Sequence, residues 1–133
     1  MKKIEHIGIA VNSLEEASFI YEKLLGSSAY KIEEVTSEGV RAAFFDRGPN
    51  KIELLEATNA ESSIAKFIAK KGEGIHHIAF EVDDIVAEIA RLKKEGFVIV
   101  NEIPQKGADN KWVAFVHPKS TNSVLIELCQ EIR

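Results

Sequence analysis

The chain has 133 residues, 45% hydrophobic and 29% charged, with a formal net charge of −4. That is enough apolar material for one packed domain, and it excludes wholesale disorder. The single cysteine, Cys129, excludes a disulfide framework and a cysteine-rich zinc module, and the acidic balance argues against a nucleic-acid partner.

Residues 3–11 alternate and are β-rich, which predicts a strand. Asn12 or Ser13 then caps a helix, with Glu16 three residues after Ser13 as a capping box, and Gly26 stops it. Leu14, Ala17, Ile20, Tyr21, Leu24 and Leu25 form the apolar stripe of that helix. Strands are expected near 29–36, 40–46 and 51–57, with turns at Ser37-Glu38-Gly39 and Arg47-Gly48-Pro49-Asn50. Ile64, Phe67 and Ile68 lie at helical spacing in 59–74, so this segment reads as a connecting helix that ends in the linker Gly72-Glu73-Gly74. A strand at 75–82 follows. Next comes a helix over about 84–95, with Ile85, Ile89 and Leu92 on one face and Gly96 at its end. Strands near 97–100, 111–117 and 123–130 complete the chain.

The second half repeats the first. His6-Ile7-Gly8-Ile9-Ala10-Val11-Asn12-Ser13-Leu14 aligns with His77-Ile78-Ala79-Phe80-Glu81-Val82-Asp83-Asp84-Ile85 at an offset of 71 residues. Downstream, Gly26 matches Gly96, Phe44 matches Phe115, and Ile52-Glu53-Leu54 matches Ile126-Glu127-Leu128. The expected fold is α+β. It has two tandem βαβββ modules with pseudo-two-fold symmetry that form a curved, half-open mixed sheet around a metal site. All of it is one domain, 1–133, with module one at 1–58, a connecting helix and linker at 59–74 and module two at 75–133. No segment reaches the roughly 18–20 apolar residues of a membrane span. The run from Ile7 to Val11 is too short for a signal-peptide core. A soluble, cytoplasmic protein is expected.

Strand alternation assigns the faces. Ile7, Ile9 and Val11 share one face, and His6, Gly8 and Ala10 share the other. In the repeat, Ile78, Phe80 and Val82 oppose His77, Ala79 and Glu81. The bulky apolar face must pack on helices, so each His points into the cleft beside a small residue. Glu127 shares its face with Leu125 and Cys129, and a carboxylate on an otherwise apolar face needs a cation. Glu53 is its counterpart, with Lys51 two residues before it. Two imidazoles and two carboxylates suit one divalent ion, with water or substrate oxygens at the open positions. His76 and His117 have no counterparts in the first half. His76 reads as packing or support for the site, and His117 as a turn residue before Pro118. Cys129 reads as a buried small hydrophobe, and Lys70-Lys71 and Lys93-Lys94 as solvated helix ends.

These residues resemble the vicinal oxygen chelate superfamily, and within it the methylmalonyl-CoA epimerase family most closely. The segments that carry the resemblance are His6-Ile7-Gly8-Ile9-Ala10-Val11, Gly72-Glu73-Gly74-Ile75-His76-His77-Ile78-Ala79-Phe80, Lys51-Ile52-Glu53-Leu54-Leu55-Glu56, and His117-Pro118-Lys119-Ser120 with Val124-Leu125-Ile126-Glu127-Leu128. The resemblance implies His6, His77 and Glu127 as metal ligands, with Glu53 at the fourth ligand position, where some members have Gln. Those members carry a Glu in the preceding strand as a proposed base, and here that position is Ala42. Inversion is simplest with a base on each side of the carbon, and Glu53 and Glu127, which come from opposite halves of the repeat, are the expected catalytic pair.

The implied activity is metal-dependent epimerisation of methylmalonyl-CoA through a metal-stabilised enolate by a two-base mechanism. Cobalt is the first candidate cofactor, with zinc, nickel, manganese or magnesium as the others. A CoA thioester is the expected partner and a homodimer the expected assembly. Lactoylglutathione lyase (glyoxalase I) uses the same kind of ligand set, and a non-catalytic binding protein on the same scaffold is the other alternative.

Overall fold

The computed structural model describes residues 1–133, the side chain of Arg47 excepted. The chain forms two compact units, one of residues 6–76 and the other of Met1–Glu5 with His77–Arg133.

β1 (Ile4–Ala10), of which His6–Ala10 belongs to the 6–76 unit, leads into α1 (Leu14–Leu25). The helix begins where the sequence supplies a cap, since the Ser13 side chain accepts from the Glu16 N–H at 3.2 Å. It ends at Gly26, whose φ of 78° is the left-handed conformation that favours glycine at such a stop. Strands β2 (Lys31–Val35), β3 (Val40–Arg47) and β4 (Asn50–Ala57) follow, hydrogen-bonded in the order β2-β3-β4-β1. β4 is antiparallel to β3 and parallel to β1, so this part of the sheet is mixed. Helix α2 (Ser63–Lys71) is capped by Ser62, whose Oγ accepts from the Ala65 N–H at 3.1 Å.

Leu14 and Ala17 are buried against Val11, Ala43, Phe45 and Leu54, with Tyr21 and Leu25 packed beside them. The stripe is narrower than the sequence suggests. Ile20 and Leu24 are exposed, because Leu14, Tyr21 and Leu25 lie along one line of the helix while Ile20 and Leu24 stand about 120° and about 80° from it, on the side where only the small Ala17 meets the sheet.

In the other unit, β5 (Gly74–Glu81), of which His77–Glu81 belongs here, precedes α3 (Ile85–Lys94). Asp84 caps this helix by accepting from the Ala87 N–H at 3.1 Å. Strands β6 (Gln105–Lys106), β7 (Lys111–Val116) and β8 (Ile126–Glu131) follow, hydrogen-bonded in the order β5-β8-β7-β6. β8 is parallel to β5 and antiparallel to β7, so the mixed arrangement of the first unit recurs. Ile85, Ile89 and Leu92 pack on Val82, Ala114, Val116 and Leu128.

Two elements differ from the sequence reading. The strand near 97–100 is reduced to a single bridge, Ile99 to Val116. The Asn101 side chain intercepts the Phe115 N–H at 3.1 Å, and Pro104 has no N–H to give, so pairing with β7 resumes only at β6. β8 begins at Ile126 rather than 123, because Asn122 and Ser123 adopt positive φ in a turn.

The first residues of the chain are tied to the second of these units. The Lys2 N–H donates to the Glu81 carbonyl and the Glu81 N–H to the Lys3 carbonyl, each at 2.9 Å, and the Met1 amine reaches Glu88 at 3.0 Å.

Candidate functional site

In the 6–76 unit, the β1–β4 register sets Gly8 opposite Glu53 and His6 opposite Lys51. On the far side of β4, Phe44 of β3 stands opposite Glu53. Because side chains alternate, His6, Gly8, Ala10, Glu53 and Phe44 share one face. His6 and Glu53 are both buried, at 6% and 4% exposure, and His6 Nε2 lies 3.2 Å from Glu53 Oε1. Gly8 brings no side chain to the ladder position beside the carboxylate, and Phe44 walls its other flank.

The second unit rebuilds this arrangement from different residues. Glu127 of β8 stands opposite Ala79 of β5 on one side and Phe115 of β7 on the other. His77 and Glu127 are buried, and His77 Nε2 lies 3.2 Å from Glu127 Oε1. The Phe115 ring meets the His77 ring edge-on, at 6.1 Å between centroids and 88° between planes. Ala79, Val113 and Cys129 form a small apolar cluster with Phe115, so Glu127 is a carboxylate among apolar neighbours, as its sequence position suggests. Burial pushes the Cys129 thiol well above its ordinary range, with the Glu127 and Glu5 charges adding to the effect. Its Sγ lies 3.5 Å from the Phe80 carbonyl. It is an inert packing residue.

The structure therefore brings His6 together with Glu53, and His77 together with Glu127, as two half-sites with one spacing. Ala42 is fully buried on the same face as Glu53 and carries no titratable group. His76, on the face opposite His77, packs edge-on against Phe67 of α2 at 5.0 Å between ring centroids. His117 is exposed and caps the short turn at Pro118–Ser120, its Nδ1 accepting from the Lys119 N–H at 3.0 Å. Trp112 lies at the protein surface, 39% exposed.

Sequence reasoning missed three polar residues on the strands that carry these half-sites. Glu5, one residue before His6, is buried rather than surface-exposed. Glu56 and Gln130, three residues after Glu53 and Glu127, cap the helices. Glu56 Oε2 accepts from the Leu14 N–H at 3.1 Å, and Gln130 Oε1 accepts from the Ile85 N–H at 2.8 Å. The signal was present in the repeat alignment, had Glu53-Leu54-Leu55-Glu56 been extended against Glu127-Leu128-Cys129-Gln130.

Comparison with known proteins places this architecture. Residues 5–115 match the family model of the Glyoxalase/Bleomycin resistance protein/Dioxygenase superfamily. The chain is 40% identical to the ethylmalonyl-CoA/methylmalonyl-CoA epimerase of Cereibacter sphaeroides, over 96% of this chain and 97% of that protein. It is 39% identical to the mitochondrial methylmalonyl-CoA epimerase of Homo sapiens, over 96% of this chain and 73% of that protein. Among solved structures, a variant of Streptomyces coelicolor methylmalonyl-CoA epimerase in complex with 2-nitronate-propionyl-CoA is 32% identical and superposes with a TM-score of 0.93, covering 98% of this chain and 95% of that one. With the fold, the repeated half-sites and these identities in agreement, the chain belongs to the methylmalonyl-CoA epimerase family of the glyoxalase superfamily.

Proposed function

We propose that the protein interconverts the two epimers of methylmalonyl-CoA by removing the proton alpha to the thioester on one face and returning it on the other. The observation that carries this reading is the duplication. Each unit holds one buried imidazole–carboxylate pair at 3.2 Å in the same strand register, in a chain related to epimerases throughout its length. Inversion at carbon is simplest with one base on each side, and a two-fold repeat supplies two equivalent carboxylates, Glu53 and Glu127. Ala42 offers no competing group.

A carboxylate with a reference pKa of about 4.3 is a weak base for such a proton, so the reaction needs the developing negative charge to be stabilised. We assign His6, Glu53, His77 and Glu127 as ligands of one divalent ion, cobalt being the first candidate. The residues fit that group. Two imidazoles and two carboxylates are a donor set of intermediate hardness, and a 2+ charge offsets two buried carboxylates. When bound, the ion supplies Lewis-acid stabilisation to the thioester oxygen. The protein's own residues do the rest. Glu53 and Glu127 hold and move the proton, Gly8 and Ala79 leave room beside them, and Phe44 and Phe115 limit the access of water. Binding of a CoA-thioester analogue by the Streptomyces coelicolor relative supports a CoA thioester as the substrate. A homodimer acting in the cytoplasm completes the proposal.

The test is deuterium incorporation at the alpha carbon of methylmalonyl-CoA in deuterated water. Dialysis against EDTA is expected to abolish exchange, and added cobalt to restore it. Glu127→Gln is expected to weaken metal binding by more than about tenfold and to stop exchange. Undiminished exchange after complete metal removal would overturn the mechanism. Turnover of the methylglyoxal–glutathione adduct in place of methylmalonyl-CoA would make the protein a lactoylglutathione lyase instead.

A further inference from the structure

The face of the 6–76 unit that carries Glu53 changes character along its length. At one end, the ladder position of Leu55 and Ala42 is fully buried and uncharged. Next comes Glu53 with Phe44. Lys31 flanks that pair on β2, and beyond it the face opens onto Lys51 and Tyr30. Lys51 stands opposite His6 and is half-buried, two residues from Glu53 along β4. Lys31 stands opposite Phe44, two strands from Glu53 on the same face, with its side chain 39% exposed.

Tyr30, the residue before Lys31, lies beside Phe44 and Lys51. Its N–H donates to the Phe44 carbonyl at 2.8 Å, its ring lies 6.0 Å from the Phe44 ring, and Lys51 Nζ lies 6.0 Å from its centroid. From the strand spacings, the Lys51 and Lys31 backbones stand about 7 Å and about 10 Å from that of Glu53. Carboxylates also reach this end. Glu33 pairs with Lys31 at 3.4 Å, and Asp46 stands opposite Lys51. Glu33 holds the Lys31 ammonium, and both carboxylates limit how much negative charge the patch attracts.

A CoA thioester carries a diphosphate and a 3′-phosphate, and the acyl group adds a carboxylate. A protein with a net charge of −4 repels such a ligand at long range, so the site needs cations of its own. We propose that Lys51 and Lys31, on the Glu53 face and with Tyr30 beside Lys51, form the oxyanion subsite of this site, taking a phosphate or carboxylate group of the thioester substrate. The aromatic ring gives the pantetheine arm an apolar surface beside the charges. The inference rests on the proposed CoA-thioester function and adds the residues that select for it.

The experiment compares Lys51→Ala, Lys31→Ala and Lys51→Arg, with Lys94→Ala, on an exposed helix end, as the charge control. Each is assayed with methylmalonyl-CoA and with the methylmalonyl thioester of pantetheine, which lacks the nucleotide phosphates. The two alanine variants are expected to raise KM for the CoA thioester by about three- to tenfold, with a smaller change in kcat, and Lys51→Arg to recover most of the loss. If the penalty disappears with the pantetheine thioester, the subsite reads phosphate. If it persists there, the subsite reads the acyl carboxylate.

Equal KM values for wild type, the alanine variants and the control on both substrates would overturn the proposal. Binding is measured in parallel by calorimetry with CoA and, separately, with methylmalonyl-pantetheine. A wild-type protein that binds these ligands without turnover would refute the catalytic reading. Weaker binding of either ligand by Lys51→Ala and Lys31→Ala would still uphold the subsite, and unchanged binding of both would refute it.

Discussion

Glu53 stands directly across the β1–β4 ladder from Gly8, and Glu127 stands in the same relation to Ala79. Opposed side chains in a ladder come within about 5 Å at Cβ. The size of residues 8 and 79 therefore sets how much space each carboxylate has. Ala79 is fully buried beside Val113 and Cys129. Ala79→Leu is expected to lose stability by about 1–3 kcal/mol through overpacking, and to lower metal affinity as well, because the added bulk meets the carboxylate. Gly8→Val should weaken metal binding in the same way. Urea denaturation and cobalt titration of the two variants check both effects.

The helix entrances give a second prediction. Glu56 accepts from the Leu14 N–H and also pairs with Arg41 at 3.3 Å, whereas Gln130 accepts from the Ile85 N–H alone among the described side-chain bonds. Gln130→Ala should destabilise the protein by about 1 kcal/mol, since it leaves a helix N–H without its acceptor. Glu56→Gln keeps an acceptor but removes the charge that favours a helix N-terminus, so it should cost less than Glu56→Ala. Denaturation midpoints of the three variants give the ranking.

Acid should weaken the attachment of the chain's first residues. Glu88 is held below the usual carboxylate range by its bond to the Arg91 guanidinium at 2.5 Å, with the Met1 amine adding to the effect. A depressed carboxyl contributes stability that is present above its unfolded value, about 4.5, and is lost as pH falls through the folded value. Glu88→Gln is expected to cost about 0.5–1 kcal/mol near neutral pH. The gap between variant and wild type should close below the folded value. Urea melts at pH 7 and pH 3 read the difference directly.

Local patterns in the sequence were enough to locate much of this. The alternation around His6 and His77 assigned the faces, Ser13 and Gly26 bounded α1, and the repeat paired His with Glu in each unit. What escaped depends on residues distant in sequence. Asn101 breaks a strand by binding a backbone N–H on β7, and nothing local to 97–101 signals that competition. Glu5 falls by alternation on the face of Ile7 and Ile9 and is buried there, a position that its charge alone does not announce. The exposure of Ile20 and Leu24 follows from how narrow a strip of α1 the sheet covers. Periodicity reports that a helix has an apolar side, not how wide the contact will be.

The bonds from Lys2 and Lys3 to Glu81 bear on how the protein is made. Residues 6–76 form a compact unit that is synthesised before Glu81. Residues 1–5 leave the ribosome before it, yet their acceptors on Glu81 and Glu88 are synthesised more than seventy residues later. The amino-terminal segment must therefore wait for its partners through more than half of elongation, and it docks only once β5 and α3 have been made.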